Sequence, residues 1–335
     1  ILSGQQGQGA SVELTLDSAA QEAAWEALDG RRGSVVALDP ETGAVLAMVS
    51  APSYDPNRLA SHDTGAVNRA WTELNDDPDR PLTNRAIGGD LYPPGSAFKL
   101  VVASAALESG EYTTETEIPG PGTYDLPNSS AVMNNRAGGG PEPCGPDGVS
   151  TLADALRQSC NTSFALLGTD VGEDALRETS EEFGFGQRLE IPLSVTPSSI
   201  GEDLDAAQIA TTSIGQYETR VTPLQMAMVA GAFANDGVVM EPQLVQAVRT
   251  NDLSTVAELS AKELGQPLTA ANAAQMRQMM VGVVEDGTGS AAAIDGVEVG
   301  GKTGTAEWGE DRAAHSWYVG YGQQEDQKIA VAALV

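Results

Sequence analysis

Residues 33–50, GSVVALDPETGAVLAMVS, contain two runs of β-forming residues on either side of DPETG, whose proline and glycine favour a tight turn. This segment predicts a β-hairpin. Three more strand-like runs close the chain, VEVGGKTGTAEW at 297–308, HSWYVGYGQ at 315–323 and KIAVAALV at 328–335. Because strands at both ends enclose a largely helical middle, we expect one α+β unit in which the terminal strands build a common sheet.

The rest of the chain divides into helical patterns and loops. Residues 11–17 alternate as a strand does, and residues 18–30 carry apolar side chains at helical spacing up to a glycine. Helical spacing recurs in five later segments, namely 96–110, 151–172, 174–183, 222–235 and 269–287. The stretches 51–94 and 111–148 contain clusters of chain-breaking residues, which predicts loops and irregular structure there.

The chain is strongly acidic, with 47 Asp and Glu against 18 Lys and Arg and a formal net charge of -29. Nucleic acid and anionic membrane surfaces would be repelled, so we exclude both as ligands. The acidic residues are dispersed, as expected of a solvated surface. An acidic ligand would need a local cationic pocket, which makes the lysines informative. There are only four: Lys99, Lys262, Lys302 and Lys328.

Cysteine and histidine are too scarce for a disulfide scaffold or a metal site. The chain has only Cys144, Cys160, His62 and His315, and their spacing matches no metal-binding motif. The two cysteines either close a short loop, if the compartment is oxidising, or are two buried apolar side chains. We expect no metal and no cofactor.

Ser96 and Lys99 lie in YPPGSAFKL, residues 92–100, just after two prolines and a glycine. If a helix begins near Ser96, the two side chains lie on one face within reach of each other. The positive end of the helix dipole favours a developing alkoxide, and an unprotonated lysine beside the serine could take its proton. Taken alone, the pair is better explained as a capping serine followed by a solvated lysine.

Two further motifs carry hydroxyl, amide and amine groups. Ser159 and Asn161 lie at the junction of two helical patterns, where a hydroxyl can relay a proton and an amide can orient a lysine. Capping residues between helices would look the same. Lys302, Thr303 and Thr305 lie in GGKTGTAEW, whose glycines permit close backbone approach by a ligand. One cation with two hydroxyls suits a carboxylate.

Together the motifs follow the order S-x-x-K, S-x-N, K-T-G, the set found in penicillin-binding proteins and serine β-lactamases. Long stretches around them match as well: LDPETGAVLAMVSAPSYDPN, LYPPGSAFKL, SCNTSFA, SIGQYETRVTPLQMAMVAGAFANDG, GGKTGTAEW and HSWYVGY. The chain therefore resembles the transpeptidase domain of class B penicillin-binding proteins of the actinobacterial type. The resemblance implies an antiparallel sheet from the N- and C-terminal strands, flanked by helices, with a mainly helical insertion at about 96–290.

The resemblance also implies D,D-transpeptidation of peptidoglycan through an acyl-enzyme. Ser96 would attack the penultimate D-Ala carbonyl of a stem peptide, with Lys99 as the base. Ser159 would pass a proton to the leaving amine, and Asn161 would hold Lys99 and a substrate amide. The terminal carboxylate of the substrate, or that of a β-lactam, would be bound by the third motif: Lys302, Thr303, Gly304 and Thr305. Backbone N–H groups of Ser96 and Thr305 would form the oxyanion hole.

Related activities share this set of residues. A D,D-carboxypeptidase differs only in using water as the acceptor, and a β-lactamase or β-lactam sensor differs in its deacylation rate. The chain has no E-x-x-L-N motif after Ser96, and Cys160 stands where S-D-N β-lactamases have an acid, so we expect slow hydrolysis of the acyl-enzyme. The intact motifs argue against a non-catalytic scaffold. A catalytic Cys160 thiol lacks a nearby base, and His315, beside the third motif, is predicted to be structural.

Domain organisation and partners follow from the same resemblance. We interpret residues 1–10 as the end of a linker and residues 11–335 as the transpeptidase domain. Family members carry an N-terminal membrane anchor, so we expect this domain at the extracytoplasmic face of the membrane, anchored by a segment absent from this chain. The expected ligands are stem peptides ending in D-Ala-D-Ala and β-lactam antibiotics. The expected partners are other proteins of cell-wall synthesis or division.

Overall fold

Long strands near both ends of the chain enclose most of the helices in the computed structural model, which describes residues 9–135, 141–189, 191–307 and 314–335. The strands are β1 (Ser11–Leu14), β2 (Gly33–Leu38), β3 (Val45–Ala51), β4 (Glu117–Pro119), β5 (Thr123–Asp125), β6 (Val132–Asn134), β7 (Val149–Thr151), β8 (Val239–Met240), β9 (Val245–Arg249), β10 (Thr255–Glu258), β11 (Glu263–Gly265), β12 (Glu298–Ala306), β13 (His315–Gln324) and β14 (Gln327–Leu334). The helices are α1 (Ser18–Leu28), α2 (Thr64–Asp76), α3 (Lys99–Glu108), α4 (Leu152–Gln158), α5 (Asn161–Val171), α6 (Glu173–Glu182), α7 (Ala206–Thr212), α8 (Pro223–Ala234) and α9 (Ala270–Asp286). Most of the predicted linker, residues 1–8, and Trp308 at the end of a predicted strand lie outside the described residues.

The main sheet has five antiparallel strands in the order β12-β13-β14-β2-β3. The last strand of the chain therefore pairs with the first strand of the N-terminal hairpin, and the α+β prediction with its shared sheet is confirmed. Strand β1 is the exception, because it pairs with β9 in a separate sheet of order β1-β9-β10. All four residues of β1 are exposed, so neither of its faces is buried in a core.

Side chains along β2 point alternately to the two faces of the main sheet. Val36 and Leu38 belong to the large core, whereas Val35 and Ala37 belong to a smaller cluster with α1 residues. Helix α8 packs on the large-core face with all of its residues buried, and α9 packs against β12. The sheet is therefore covered by α1 on one face and by α8 and α9 on the other.

Helix α8 lies in the segment 222–235 that has helical spacing, and it begins with a capping threonine and a proline in the first turn. The Thr222 hydroxyl accepts a hydrogen bond from the backbone N–H of Gln225 at 3.1 Å, and Pro223 is the first helical residue. The backbone N–H of Thr222 donates in turn to the Ser198 hydroxyl at 3.2 Å. This start fixes the entry of the chain into the buried helix.

Two helices are not predicted by the sequence. Helix α2 lies within 51–94, where we expected only loops, and it buries just Ala70 and Leu74. Its apolar residues Val67, Ala70, Trp71 and Leu74 do follow helical spacing, but the prolines on either side of the helix favoured a loop, and its N-cap, Asp63, is one of many aspartates in the chain. Helix α7 is a single short element with a capping box between Asp205 and Gln208.

The cap of α8 generates a stability prediction. Thr222→Ala should lower the free energy of unfolding by about 1–2 kcal/mol, because it removes the only side-chain cap of a fully buried helix. Thr222→Ser keeps the capping oxygen and should lose about 1 kcal/mol less than the alanine variant. Urea unfolding measures both. Equal losses in the two variants would show that the capping oxygen contributes nothing.

Candidate active site

Ser96 lies in a 3₁₀ turn that leads directly into α3, which confirms the predicted helix start. The indole N–H of Trp317 on β13 donates to the Pro93 carbonyl at 3.0 Å and ties the segment before Ser96 to the sheet. A Cβ atom at Gly304 would lie 2.5 Å from the Pro94 carbonyl oxygen. The glycine of the third motif therefore lets β12 touch the turn that carries Ser96.

Lys99, the first residue of α3, is completely buried. Its Nζ donates to the Ser159 carbonyl at 2.7 Å and to Asn161 Oδ1 at 2.8 Å, and it lies 3.4 Å from Ser159 Oγ. Burial lowers the pKa of Lys99 well below its ordinary value, and the nearby Lys302 lowers it further. Within the described residues no carboxylate pairs with this amine.

Lys302, on β12, is the second buried amine of the site. Its Nζ donates to Ser159 Oγ at 2.8 Å and to the Thr303 carbonyl at 3.0 Å. Burial lowers its pKa to about 7. The other two lysines form ordinary ion pairs, Lys262 with Glu241 and Lys328 with Glu41. The two lysines of the motifs thus differ from the rest in both burial and partners.

Ser159 ends α4 in the left-handed conformation, with φ 62° and ψ 42°. Such a conformation costs a residue with a side chain about 1–2 kcal/mol. It turns the chain between α4 and α5, so that the Ser159 carbonyl meets Lys99 while the hydroxyl meets Lys302. The predicted helix junction is confirmed here, and Asn161 is the first residue of α5.

Cys144 and Cys160 form a disulfide with their Cα atoms 6.1 Å apart. Of the two alternatives left by the sequence, the bridge is the one realised, so Cys160 offers no thiol. Both cysteines are buried, and Cys160 is the residue between Ser159 and Asn161. The bridge therefore ties the second motif to the loop before β7.

The motifs meet at a cleft of about 980 Å³. Its lining includes five of the predicted residues: Ser96, Ser159, Asn161, Thr303 and Thr305. Lys99 and Lys302 lie buried behind the Ser159 hydroxyl, which is their shared partner. The resemblance implies that Lys99 acts as the base for Ser96, and this pairing stays a prediction. Among the described residues the Ser96 hydroxyl has no hydrogen-bond partner.

Two residues that support the cleft were not predicted. Thr288, after α9, accepts a hydrogen bond from the Thr303 hydroxyl at 2.8 Å and so connects the third motif to α9. Asn135, after β6, accepts the Asn161 backbone N–H at 3.0 Å. Its side-chain amide donates to the Glu142 carbonyl at 3.0 Å. Neither residue lies in a recognisable motif, and Asn135 lies in the stretch that the sequence shows only as irregular.

Two other expectations concern metals and membranes. Among the described residues, no group of three or more His, Cys, Asp or Glu side chains is arranged to hold a metal ion. In the same part of the chain, no helix combines the length and the apolar character needed to cross a membrane. His315 begins β13 and pairs with Ala306 of β12, as expected of a residue beside the third motif.

Residues 33–335 match the family model described as penicillin binding protein transpeptidase domain. The chain belongs to this family. It is 42% identical to the peptidoglycan D,D-transpeptidase PbpA of Mycolicibacterium smegmatis, over 100% of this chain and 69% of the relative. Identity to PbpA of Mycobacterium tuberculosis is 40% over the same shares. The class B, actinobacterial resemblance is confirmed.

Solved structures of this family superpose closely. The crystal structure of PBPA from Mycobacterium tuberculosis gives a TM-score of 0.92 at 39% identity, covering 100% of this chain and 76% of that one. Its penicillin G acyl-enzyme complex gives 0.92 at 38% identity with the same coverage. The transpeptidase fold is thereby confirmed.

The contact between β12 and the Ser96 turn can be tested through Gly304. In Gly304→Ala the new methyl group would press on the Pro94 carbonyl, so we expect acylation by a fluorescent penicillin to slow by about tenfold or more, since misplacing a reacting group by an ångström costs up to about a hundredfold. Gly282→Ala is the control, because nothing lies within 4 Å of that position in α9. It should stabilise the fold by about 0.5–1 kcal/mol and leave acylation unchanged. Unaltered acylation in Gly304→Ala would contradict the contact.

Burial of Lys302 predicts a pH-dependent stability. Between its folded pKa of about 7 and its ordinary value of 10.5, the unfolded chain binds a proton that the native protein lacks, so native stability rises with pH in this window. Lys302→Met removes this pH-dependent contribution to the free energy of unfolding. Its stability relative to wild type should therefore be most favourable below pH 7 and fall as the pH rises toward 10. Denaturant unfolding at several pH values measures the difference, with Lys262→Met as the surface control. A constant difference would refute the assignment.

Proposed function

We propose that this chain is a peptidoglycan D,D-transpeptidase that cross-links stem peptides through an acyl-enzyme on Ser96 and is covalently inhibited by β-lactams. Family membership and similarity over the whole chain to PbpA enzymes support the reaction class. The acyl-enzyme complexes of a relative with ceftriaxone, imipenem and penicillin G support the inhibition. Within this chain, the observation that carries the proposal is the hydrogen bonding of Lys99.

A neutral amine has two N–H donors and one lone pair. The short hydrogen bonds from Lys99 to the Ser159 carbonyl and to Asn161 Oδ1 occupy two donors. If Lys99 were protonated, its third N–H would find only one acceptor within the described residues, the Ser159 hydroxyl at 3.4 Å. Burial beside Lys302 further disfavours that proton by lowering the Lys99 pKa. Lys99 is thus built to hold its lone pair free as a base.

Acylation would then proceed by transfer of the Ser96 proton to Lys99 as Ser96 Oγ attacks the penultimate D-Ala carbonyl carbon. The backbone N–H groups of Ser96 and Thr305 would stabilise the oxyanion. When the C–N bond breaks, the leaving D-Ala amine would take a proton from the Ser159 hydroxyl. Ser159 lies between the two amines, at 3.4 Å from Lys99 Nζ and 2.8 Å from Lys302 Nζ, so it can be reprotonated from either. An acceptor amine would resolve the ester and release Ser96.

The third motif would bind the terminal carboxylate. Thr303 and Thr305 line the cleft, and Lys302 lies buried beside them. A carboxylate arriving there would favour the protonated form of Lys302, whose pKa of about 7 leaves both forms accessible near neutrality. The amine would therefore become charged as the anion enters. Gly304, with its backbone against the Ser96 turn, would keep this carboxylate site at a fixed distance from the nucleophile.

Intact-mass measurement after incubation with penicillin G tests the acyl-enzyme. We expect wild type to gain one penicillin and to lose it slowly, and Ser96→Ala to gain none. Ser159→Ala keeps the nucleophile but lacks the relay, so its adduct should form about a hundredfold more slowly. An unmodified wild-type protein would sink the proposal. Rapid return to the free mass would indicate a β-lactamase instead.

The acceptor that resolves the acyl-enzyme distinguishes a transpeptidase, which uses an amine, from a D,D-carboxypeptidase, which uses water. Incubation of wild type with a stem pentapeptide and an amine acceptor should release D-Ala and yield the amide-linked product, with Ser96→Ala as the blank. Release of D-Ala with no amide product at saturating amine would assign the chain as a D,D-carboxypeptidase.

A location outside the cytoplasm is part of the proposal. The disulfide between Cys144 and Cys160 supports it, because such bonds persist in oxidising compartments. The substrate of the proposed reaction also lies outside the cell membrane. The membrane anchor and the partner proteins of wall synthesis or division remain predictions from the family resemblance.

A further inference from the structure

A second cleft, of about 530 Å³, lies where β2 and β13 begin and β14 ends. None of its lining residues lines the cleft that contains Ser96. Its walls come from the turn before β2, from the first residues of β13, and from the segment that leads toward Ser96. The residues that matter are Arg32, Arg80, Arg85, Tyr92 and His315.

Three arginines line this one cleft in a chain whose net charge is -29. Asp90 also lines the cleft, and its carboxylate pairs with Arg80. Arg32 forms only a long ion pair, its guanidinium lying 3.9 Å from the Asp79 carboxylate. Positive charge is therefore concentrated here, although the protein as a whole repels anions.

Arg85 is the most unusual of the three, because only 3% of its surface is exposed. Its guanidinium donates to three backbone carbonyls, those of Arg80 at 3.3 Å, Thr83 at 3.3 Å and Asp79 at 2.6 Å. It has no carboxylate partner among the described residues. A guanidinium has five N–H groups, so the Nε–H and one Nη2–H are left over. This buried cation lines the cleft with donors to spare.

The remaining groups make the site attractive to an anion. Burial lowers the pKa of Arg85, and the positive charge of the neighbouring Arg32 lowers it further. A compact anion between them would replace repulsion by two favourable contacts. The rings of Tyr92 and His315 meet edge to face with centroids 5.3 Å apart and form a firm aromatic wall beside the arginines.

We infer that this cleft binds a compact anionic group with at least two acceptor oxygens, a carboxylate or a phosphate, between Arg32 and Arg85. Both groups match the planar donor fork of a guanidinium. The volume accommodates a small organic acid or a short acidic peptide. The inference rests on the cleft and its charges alone and does not depend on the proposed reaction.

Isothermal titration calorimetry of the whole chain tests the site, with inorganic phosphate in one arm, acetate in the other, and chloride holding the ionic strength constant. We expect saturable binding of one equivalent in at least one arm at concentrations up to about 20 mM. Binding of phosphate alone would identify a phosphate ligand, and binding of acetate alone a carboxylate. The same titration after treatment with penicillin G, with the adduct checked by mass, should be unchanged because the Ser96 cleft is separate.

Two neighbouring arginines supply matched variants. Arg32→Gln removes one guanidinium from the cleft and should weaken binding about tenfold or more. Arg31→Gln also removes one positive charge, but from the preceding residue. The Arg31 side chain pairs with Asp29 and does not line the cleft. It should bind within about twofold of wild type. No saturable binding in either arm, or equal weakening by both variants, would overturn the inference.

Discussion

Two lysine amines lie in the interior of this protein with no carboxylate beside them among the residues that the structure describes, and both contact one serine. Burying an amine without a counter-ion is tolerable only if its protonated form is disfavoured and its N–H groups find acceptors. Ser159 meets this need with its carbonyl for Lys99 and its hydroxyl for Lys302. Removing Ser159 would leave both amines short of partners. Ser159 thereby connects the junction of α4 and α5 to both α3 and β12.

Several otherwise costly features have a common explanation in this constraint. In its left-handed conformation Ser159 presents its carbonyl to Lys99 and its hydroxyl to Lys302. The disulfide at Cys160 and the contact from Asn161 to Asn135 hold the residues that follow it. The strain at Ser159 is thus opposed by a covalent bond and by backbone hydrogen bonds on its C-terminal side.

The sequence predicts the parts of the fold that have strong periodicity. The hairpin at 33–50, the C-terminal strands and the long apolar helices appear where expected, and the motif residues do meet at one cleft. What it could not predict has a weak or non-local signal. The helical spacing of α2 is obscured by the prolines on either side of it, and β1 has no buried face that would assign it to a sheet. Cysteine pairing depends on the distance between segments, which composition does not contain.

The site shows the same limit at finer scale. A spacing of three between Ser96 and Lys99 predicts that they can meet, but it says nothing about which acceptors compete for the amine. In the structure Ser159 and Asn161 hold Lys99, so the motif serine is left without a hydrogen-bond partner in the described residues. Thr288 accepts through its hydroxyl and Asn135 through its backbone carbonyl, and both residues lie in loops where no motif reveals these contacts.

Strand β12 is an edge strand of the main sheet, so part of one wall of the Ser96 cleft is main chain rather than side chain. Main-chain donors and acceptors are the same for every amino acid except proline, and substitution cannot erase them. A drug that draws its contacts from this wall would therefore be hard to escape by point mutation. Resistant variants would have to arise at the surrounding side chains, such as Thr303 and Thr305, or through shifts of the whole strand.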